Sequence, residues 1–336
     1  CMTRVVLLVD YFDRVREFSF VKELAKRVEL KIYTEKAASE AETAERLRDA
    51  DIVIAFRDRV IYTPSLLAQM EHVQLLAACG ARFTHIDLEA ATKRGILITA
   101  PPNEESGAFT KTGTAEQTWN LILGLMKETT MNDRAMREGG WQKNPSRGLA
   151  GKTLGLLGVG IIGKQIAQIG NAMRMRVIAW SPHLTAERAG ASGAECVSFE
   201  KVFSDSDIVS IHIPLMPNNC GLIGEKELGL MQPHSFLINT ARAGLVKEEA
   251  LRKVLEQRKI AGVGLDVYWE EPLPADHWLR RQENVLLQPH LGGMTDKGYE
   301  SLVAPAVDNV MAYLDGRPKN LVNPEVLEGR RGRARL

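Results

Sequence analysis

Three polar residues stand just beyond three apolar runs in the second half of the chain. Arg242 follows Phe236-Leu237-Ile238-Asn239, Glu271 follows Gly262 to Tyr268, and His290 follows Val285 to Gln288. A planar guanidinium can grip a carboxylate with two hydrogen bonds. A histidine can take a hydroxyl proton, and a carboxylate on its other ring nitrogen fixes the tautomer and favours the cation. Together the three suit hydride removal from a 2-hydroxy acid. Singly, each has a plainer reading: a helix-start arginine, a loop acid before Pro272, a structural histidine.

Hydride chemistry needs an acceptor, and one turn in the chain could hold it. Gly158-Val159-Gly160-Ile161-Ile162-Gly163 follows the apolar run Leu154 to Leu157 and opens a helical stretch. In this context the first glycine permits the tight turn, the second lets backbone approach a pyrophosphate, and the third allows close helix–strand packing. Free N–H groups at the helix start face the anion. An acid that holds the adenosine ribose is expected about 20 residues on. Here the strand Arg176 to Trp180 runs into Ser181-Pro182-His183 instead. Without that carboxylate the cofactor is NAD or NADP, with a slight lean to NAD because no arginine directly follows Ser181.

These residues need elements to position them. The first hundred residues alternate apolar runs (Arg4 to Val9, Leu30 to Thr34, Ile52 to Phe56, Val73 to Ala78, Ile96 to Thr99) with amphipathic segments. That alternation predicts a parallel sheet covered on both faces, flavodoxin-like in kind. A long helix is predicted from about Thr112 to Arg137, ending at Gly139-Gly140. A second series follows, with strands at Lys152 to Gly158, Arg176 to Trp180, Ile208 to Ile211, Ser235 to Asn239, Gly262 to Val267 and Val285 to Gln288. A last helix runs from Lys297 to Leu314. The fold class is α/β with two doubly wound parallel-sheet domains. Each candidate polar group falls at the carboxyl end of a strand, where such sheets bind ligands.

Composition narrows the function classes. Lys+Arg is 43 and Asp+Glu 42 over 336 residues, a formal charge of +1. No basic excess points to nucleic acid or a membrane surface. No apolar run approaches the length of a membrane span or signal-peptide core. Cys1, Cys79, Cys196 and Cys220 form no C-x-x-C pair and no zinc spacing, so no metal is expected and a reducing, cytoplasmic setting is. Residues 328–336 hold four arginines and one glutamate and read as a solvated basic tail.

Several longer motifs now carry a resemblance. Gly151-Lys152-Thr153-Leu154-Gly155-Leu156-Leu157-Gly158 leads into the glycine turn, and Asp207 to Leu215 forms a second signature. Ile238 to Arg242, Asp266-Val267 with Glu271-Pro272, Pro289-His290-Leu291-Gly292-Gly293 and Gly316-Arg317-Pro318 through Val326 complete the set. With these the chain resembles the D-isomer-specific 2-hydroxyacid dehydrogenase family over nearly its whole length. The resemblance implies a Rossmann-like nucleotide domain (105–296) inserted in a flavodoxin-like substrate domain (1–104 and 297–327), with the cleft between them as active site. It implies hydride transfer between NAD(P) and a D-2-hydroxy acid/2-oxo acid pair, with Arg242, Glu271 and His290 catalytic.

Cofactor contacts would come from Gly158, Gly160, Ile161, Ile162, Gly163, Ser181, His212 and Pro214. Thr114, Thr240, Ala241 and Asp266 would lie at the nicotinamide end. Substrate contacts would come from Gly80, Ala81, Arg82, Arg57 and Arg242, with Arg59 near Arg57. Members are usually homodimers joined through the nucleotide domains, with Trp119 to Trp141 in the pairing region. Two other readings share the fold: a dinucleotide-sensing co-repressor-like binding protein and a phosphite-type dehydrogenase. Glu271 argues against formate, whose dehydrogenases pair the histidine with glutamine. The chain stops soon after Asn323-Pro324, which weakens phosphoglycerate as substrate.

Overall fold

The structure is a computed structural model that describes residues 2–328 except 57, 58, 82, 84, 103–107 and 143. The chain divides into two compact units, Cys1–Thr110 with Asp296–Leu336, and Lys111–Thr295.

The first unit is built on five parallel strands: β1 (Arg4–Leu7), β2 (Glu29–Ile32), β3 (Ile52–Ala55), β4 (Leu75–Ala78) and β5 (Leu97–Thr99), in the order β2-β1-β3-β4-β5. The inner strands β3 and β4 are apolar and buried along their whole length, as helices on both faces require. Helices begin where short polar side chains accept first-turn N–H bonds: Ser39 from Glu42, Thr63 from Leu66, Asp87 from Ala90. His85 lies buried in the turn before the last of these, and Asp87 caps the helix Leu88–Lys93. The C-terminal segment completes the unit. The helix Asp296–Leu314 buries Tyr299, Leu302, Val303, Ala306, Val307 and Val310. Asn323 then stitches the chain to β5, accepting from the Ile98 N–H at 2.7 Å and donating to the Ile96 carbonyl at 3.0 Å.

The second unit has seven parallel strands: β6 (Thr153–Leu157), β7 (Arg176–Trp180), β8 (Glu195–Cys196), β9 (Ile208–Ile211), β10 (Phe236–Asn239), β11 (Gly262–Leu265) and β12 (Val285–Leu287). Their order is β12-β11-β10-β9-β6-β7-β8, which reverses between β6 and β9. This is the doubly wound dinucleotide-binding order with a seventh strand at one edge. The two-residue strand β8 is too short to leave a periodic pattern. The single helix expected from Thr112 to Arg137 is two helices, Ala108–Met126 and Thr129–Arg137. The break falls at Glu128, which is left-handed (φ +52°). Its cause is packing. The first helix buries Trp119, Leu121, Ile122 and Met126, whereas the second buries no residue, so nothing holds the two in one line. No helix among the described residues is long and apolar enough to cross a membrane. Among those residues no group of three metal-ligating side chains forms either.

Candidate active site

Three adjacent strand ends of the second unit carry the polar residues. Beyond β10 the Asn239 side chain ties the turn, its Oδ1 accepting from the Ala241 N–H and its Nδ2 donating to the Arg242 carbonyl, each at 3.0 Å. Arg242 leaves this turn half-buried, and its Nη1 donates to the Ala241 carbonyl at 2.7 Å. Thr240 is buried, its hydroxyl 2.8 Å from that of Thr118, which donates to the Thr114 carbonyl.

Glu271 uses both carboxylate oxygens. Oε1 accepts from the Tyr268 N–H at 3.0 Å and Oε2 lies 2.6 Å from His290 Nδ1. A carboxylate can only accept, so Nδ1 carries the proton and Nε2 is the basic nitrogen of the neutral ring. Nε2 has no hydrogen-bond partner among the described residues, which leaves it available to a substrate hydroxyl or carbonyl. Burial opposes ionisation of Glu271. The hydrogen bond and charge of His290, the Tyr268 N–H and the charge of Arg242 outweigh it and hold the carboxyl below its ordinary value. The anion is therefore the resting form, and a proton gained by His290 stays next to a negative charge.

His290 is itself left-handed (φ +55°). The next two N–H groups, of Leu291 and Gly292, both end on Asp266, at 2.8 Å to Oδ1 and 2.7 Å to Oδ2. Asp266 is 1% exposed. Burial raises its carboxyl above the usual range, against the pull of these two donors, of Gln117 and of the His290 charge. Sequence reasoning missed Gln117, whose Nε2 donates to Asp266 Oδ1 at 3.1 Å. A lone amide inside an apolar helix leaves no pattern to find.

The glycine turn fits a dinucleotide. Gly158 is left-handed (φ +102°), and a Cβ there would lie 2.9 Å from the His212 carbonyl. At Gly163 it would lie 2.1 Å from the Gly158 oxygen. Gly160 differs: a Cβ would meet nothing within 4 Å. It caps the helix Ile161–Ala172 without a side-chain acceptor, so first-turn N–H groups face open space of the kind a pyrophosphate takes. Around this turn Ile161 is exposed and Ile162 half-buried. Ser181 stands half-buried past β7, and Pro214 is exposed past β9. His212 packs beside Gly158. Burial pushes its imidazole down to about 3, and Ser210 Oγ lies 2.8 Å from Nε2. Arg188, seven residues beyond Ser181, turns back to donate to the His183 carbonyl at 3.1 Å.

Apart from Arg242, the expected substrate residues belong to the first unit. Gly80 (φ +98°) and Ala81 follow β4, where the backbone turns sharply as only glycine does cheaply. Arg57 and Arg82 lie outside the described residues. Arg59, past β3, is described. Its guanidinium stands 4.3 Å from the Phe56 ring centre, 5.0 Å from Tyr11, 5.8 Å from Tyr299 and 6.0 Å from Phe12, and it donates to the Val9 carbonyl. Beside it the Tyr299 hydroxyl donates to Asp10 Oδ1 at 2.5 Å, and Asp10, fully buried, also accepts from the Val15 N–H at 2.8 Å.

Known proteins are similar to this chain in sequence and fold. Residues 119–292 match the family model of the D-isomer specific 2-hydroxyacid dehydrogenase, NAD binding domain. A glyoxylate reductase of Thermococcus litoralis is 35% identical over 319 residues, 91% of this chain and 94% of that protein. A glyoxylate reductase of Aeropyrum pernix is 38% identical over 296 residues, 85% and 86% of the two chains. Among solved structures, a phosphoglycerate oxidoreductase of Vibrio cholerae superposes with a TM-score of 0.87 at 28% identity, covering 94% of this chain and all of that one. With a glycine turn at a helix start and a carboxylate-backed histidine in one unit, the chain belongs to the D-isomer specific 2-hydroxyacid dehydrogenases, oxidoreductases that move a hydride between NAD(P) and a 2-hydroxy acid/2-oxo acid pair.

Proposed function

We propose that the protein is a 2-oxo acid reductase of glyoxylate-reductase type, with Arg242, Glu271 and His290 as its catalytic residues. The observation that carries the assignment of roles is the 2.6 Å contact between His290 Nδ1 and Glu271 Oε2. Bound nicotinamide dinucleotide supplies the hydride. In the reductive direction His290 gives the proton on Nε2 to the substrate oxygen, and in the oxidative direction it takes that proton back. Glu271 holds the ring tautomer throughout and compensates the imidazolium. Arg242 pairs with the substrate carboxylate through its planar fork. Gly80 and Ala81 are the proposed substrate contacts of the first unit. Thr114, Thr240, Ala241 and Asp266 border the nicotinamide. The glycine turn, with Ile161, Ile162, Ser181, His212 and Pro214, lines the path of the rest of the cofactor.

Glyoxylate is the proposed substrate because relatives of that name match the chain nearly end to end. Cofactor selectivity is relaxed in this reading. Ser181 offers no carboxylate to repel a 2′-phosphate. Arg188 is a cation near the same turn, but it is engaged with the His183 carbonyl, so NAD keeps a modest preference. The test is kcat/KM for glyoxylate, hydroxypyruvate, pyruvate and phosphite with each cofactor, in wild type and Ser181→Asp. Glyoxylate reduction with both cofactors, narrowed to NAD by the substitution, is expected. Oxidation of phosphite alone overturns the substrate assignment, and a wild-type preference beyond about 100-fold overturns the cofactor reading.

The pairing surface belongs to the same proposal. The helix Thr129–Arg137 buries nothing, and Met131, Met136 and Trp141 are 63%, 53% and 72% exposed, the last two lining a groove of about 730 Å³. A second copy of the chain covering this face makes a homodimer, as light scattering at micromolar concentration would show. A monomer there refutes it. Cys79, Cys196 and Cys220, none of them in a disulfide, suit a reducing, cytoplasmic setting.

A further inference from the structure

The backbone of His290 stands where an L-residue rarely does. A left-handed backbone is sterically unfavourable for any L-residue other than glycine, and such a conformation lasts only when its surroundings impose it. Both sides of the turn are held. Before the histidine, the Gln288 carbonyl accepts from the His290 N–H at 3.0 Å, and the Gln288 N–H donates to the Leu265 carbonyl at 2.8 Å. After it, Leu291 and Gly292 are bonded to Asp266. One side chain reaches both sides. Gln117 Nε2 lies 3.1 Å from Asp266 Oδ1 and 3.4 Å from Gln288 Oε1, while its Oε1 accepts from Asn120 Nδ2 at 3.2 Å. The helix that carries it is pressed against the same loop. A Cβ at Gly113 would meet the Gly292 carbonyl at 2.8 Å, and one at Gly292 would meet Thr114 Oγ1 at 3.4 Å.

We propose that Gln117 is a positioning residue for His290, bridging both ends of the turn that carries the histidine. This rests on His290 as the proton-transfer group. Its role separates from mere packing because it hydrogen-bonds a buried carboxyl group. Asp266 is buried against its own charge, and without Gln117 its Oδ1 keeps only the Leu291 N–H. The charged and titratable groups facing this pair are His290, Tyr268, whose hydroxyl donates to the Gln288 carbonyl at 2.8 Å, and, through His290, Glu271 and Arg242. A loosened Asp266 frees the turn, and the histidine ring then leaves its alignment on Glu271.

Two substitutions and two readouts test this. In Gln117→Leu, kcat should fall about 10- to 100-fold, the cost of an ångström-scale misplacement, with KM for the 2-oxo acid changed by less than about twofold. Gln117→Glu donates to Asp266 only while its carboxyl is protonated. Its kcat should match wild type at the acid end and drop to the leucine variant's level as pH rises. The second readout needs neither substrate nor turnover. The His290 Nδ1 proton should give a downfield resonance in the dinucleotide-free protein, and this proton should exchange with water faster in Gln117→Leu. Unchanged exchange in that variant overturns the proposal whatever the activity does. A glutamate variant that tracks the leucine variant at every pH also overturns it. Because the resonance is independent of the substrate, failure of the glyoxylate reading leaves this test intact.

Discussion

The strand ends of the two units hold their charges in different ways. In the second unit each charged group is fixed by nitrogen and oxygen partners: Glu271 by Tyr268 and His290, Asp266 by Leu291, Gly292 and Gln117. In the first unit Arg59 lies among four aromatic rings, and its neighbour Asp10 is held by a phenol. Hydrogen bonds fix direction to within tens of degrees, as a proton transfer requires. Ring faces fix position without prescribing a direction for a guanidinium's N–H donors, and Arg59 spends one donor on the Val9 carbonyl as well. One edge holds its charges in directed hydrogen bonds, the other sets a cation against ring faces and a carbonyl.

The sharpest way to break this contrast is at the aimed proton. His290→Ala should lower kcat by about 10²–10⁴-fold, the worth of a positioned acid–base group. Dinucleotide binding, followed by fluorescence, should persist. Near-normal turnover would refute the role. Arg242→Lys comes next. A point charge replaces a planar fork, at a cost of about 1.5–3 kcal/mol, which kcat/KM across 2-oxo acids should report as a loss of about 10- to 150-fold. Equal constants for mutant and wild type would remove Arg242 from the substrate.

In the first unit the effect should appear as stability. Burial, then the Asp10 bond, pushes the Tyr299 hydroxyl above its ordinary range, so it is a firm donor. Tyr299→Phe leaves Asp10 Oδ1 buried without it and should cost about 1–3 kcal/mol in urea unfolding. An unshifted midpoint would show that the pair is slack. The second unit should also respond to acid. Unfolded, His212 takes a proton below its ordinary pKa near 6.5; folded, only below about 3. Its contribution is intact above pH 6.5 and is lost as pH falls toward 3, by at most about 1.4 kcal/mol per pH unit. His212→Asn should flatten that slope in melting curves, and an identical slope would rule the histidine out. Arg59→Lys should have the smallest effect, about 0.5–1 kcal/mol from poorer ring contact. A larger loss of substrate affinity than of stability would bring this arginine into the reaction.

The same contrast explains what could be read from the chain beforehand. Groups that follow an apolar run are legible, because the strand announces the edge; Arg242, Glu271, His290 and the glycine turn are of this kind. The doubly wound class follows from the same alternation. Gln117 is hidden because its two partners lie 149 and 171 residues further on. The Asp10–Tyr299 pair, 289 residues apart, is hidden for the same reason. The helix break at Glu128 depends on where burial stops, and that is a property of the packed unit. The return of Arg188 to His183 depends on a local turn whose course the residue types leave open.

The close approach at Gly113 also bears on how such a chain can be assembled at all. A Cβ at Gly113 would lie 2.7 Å from Thr295 Cγ2, so the inserted unit enters and leaves at nearly one point. To its host it is a loop whose ends already touch. Loop-closure entropy then grows only with the logarithm of the insert's length, about 0.6 kcal/mol per doubling. An insertion of this geometry can lengthen, shorten or be exchanged without stretching the sheet that receives it. Gly113, which touches no ligand in any reading above, is the residue that lets the two chain ends run side by side.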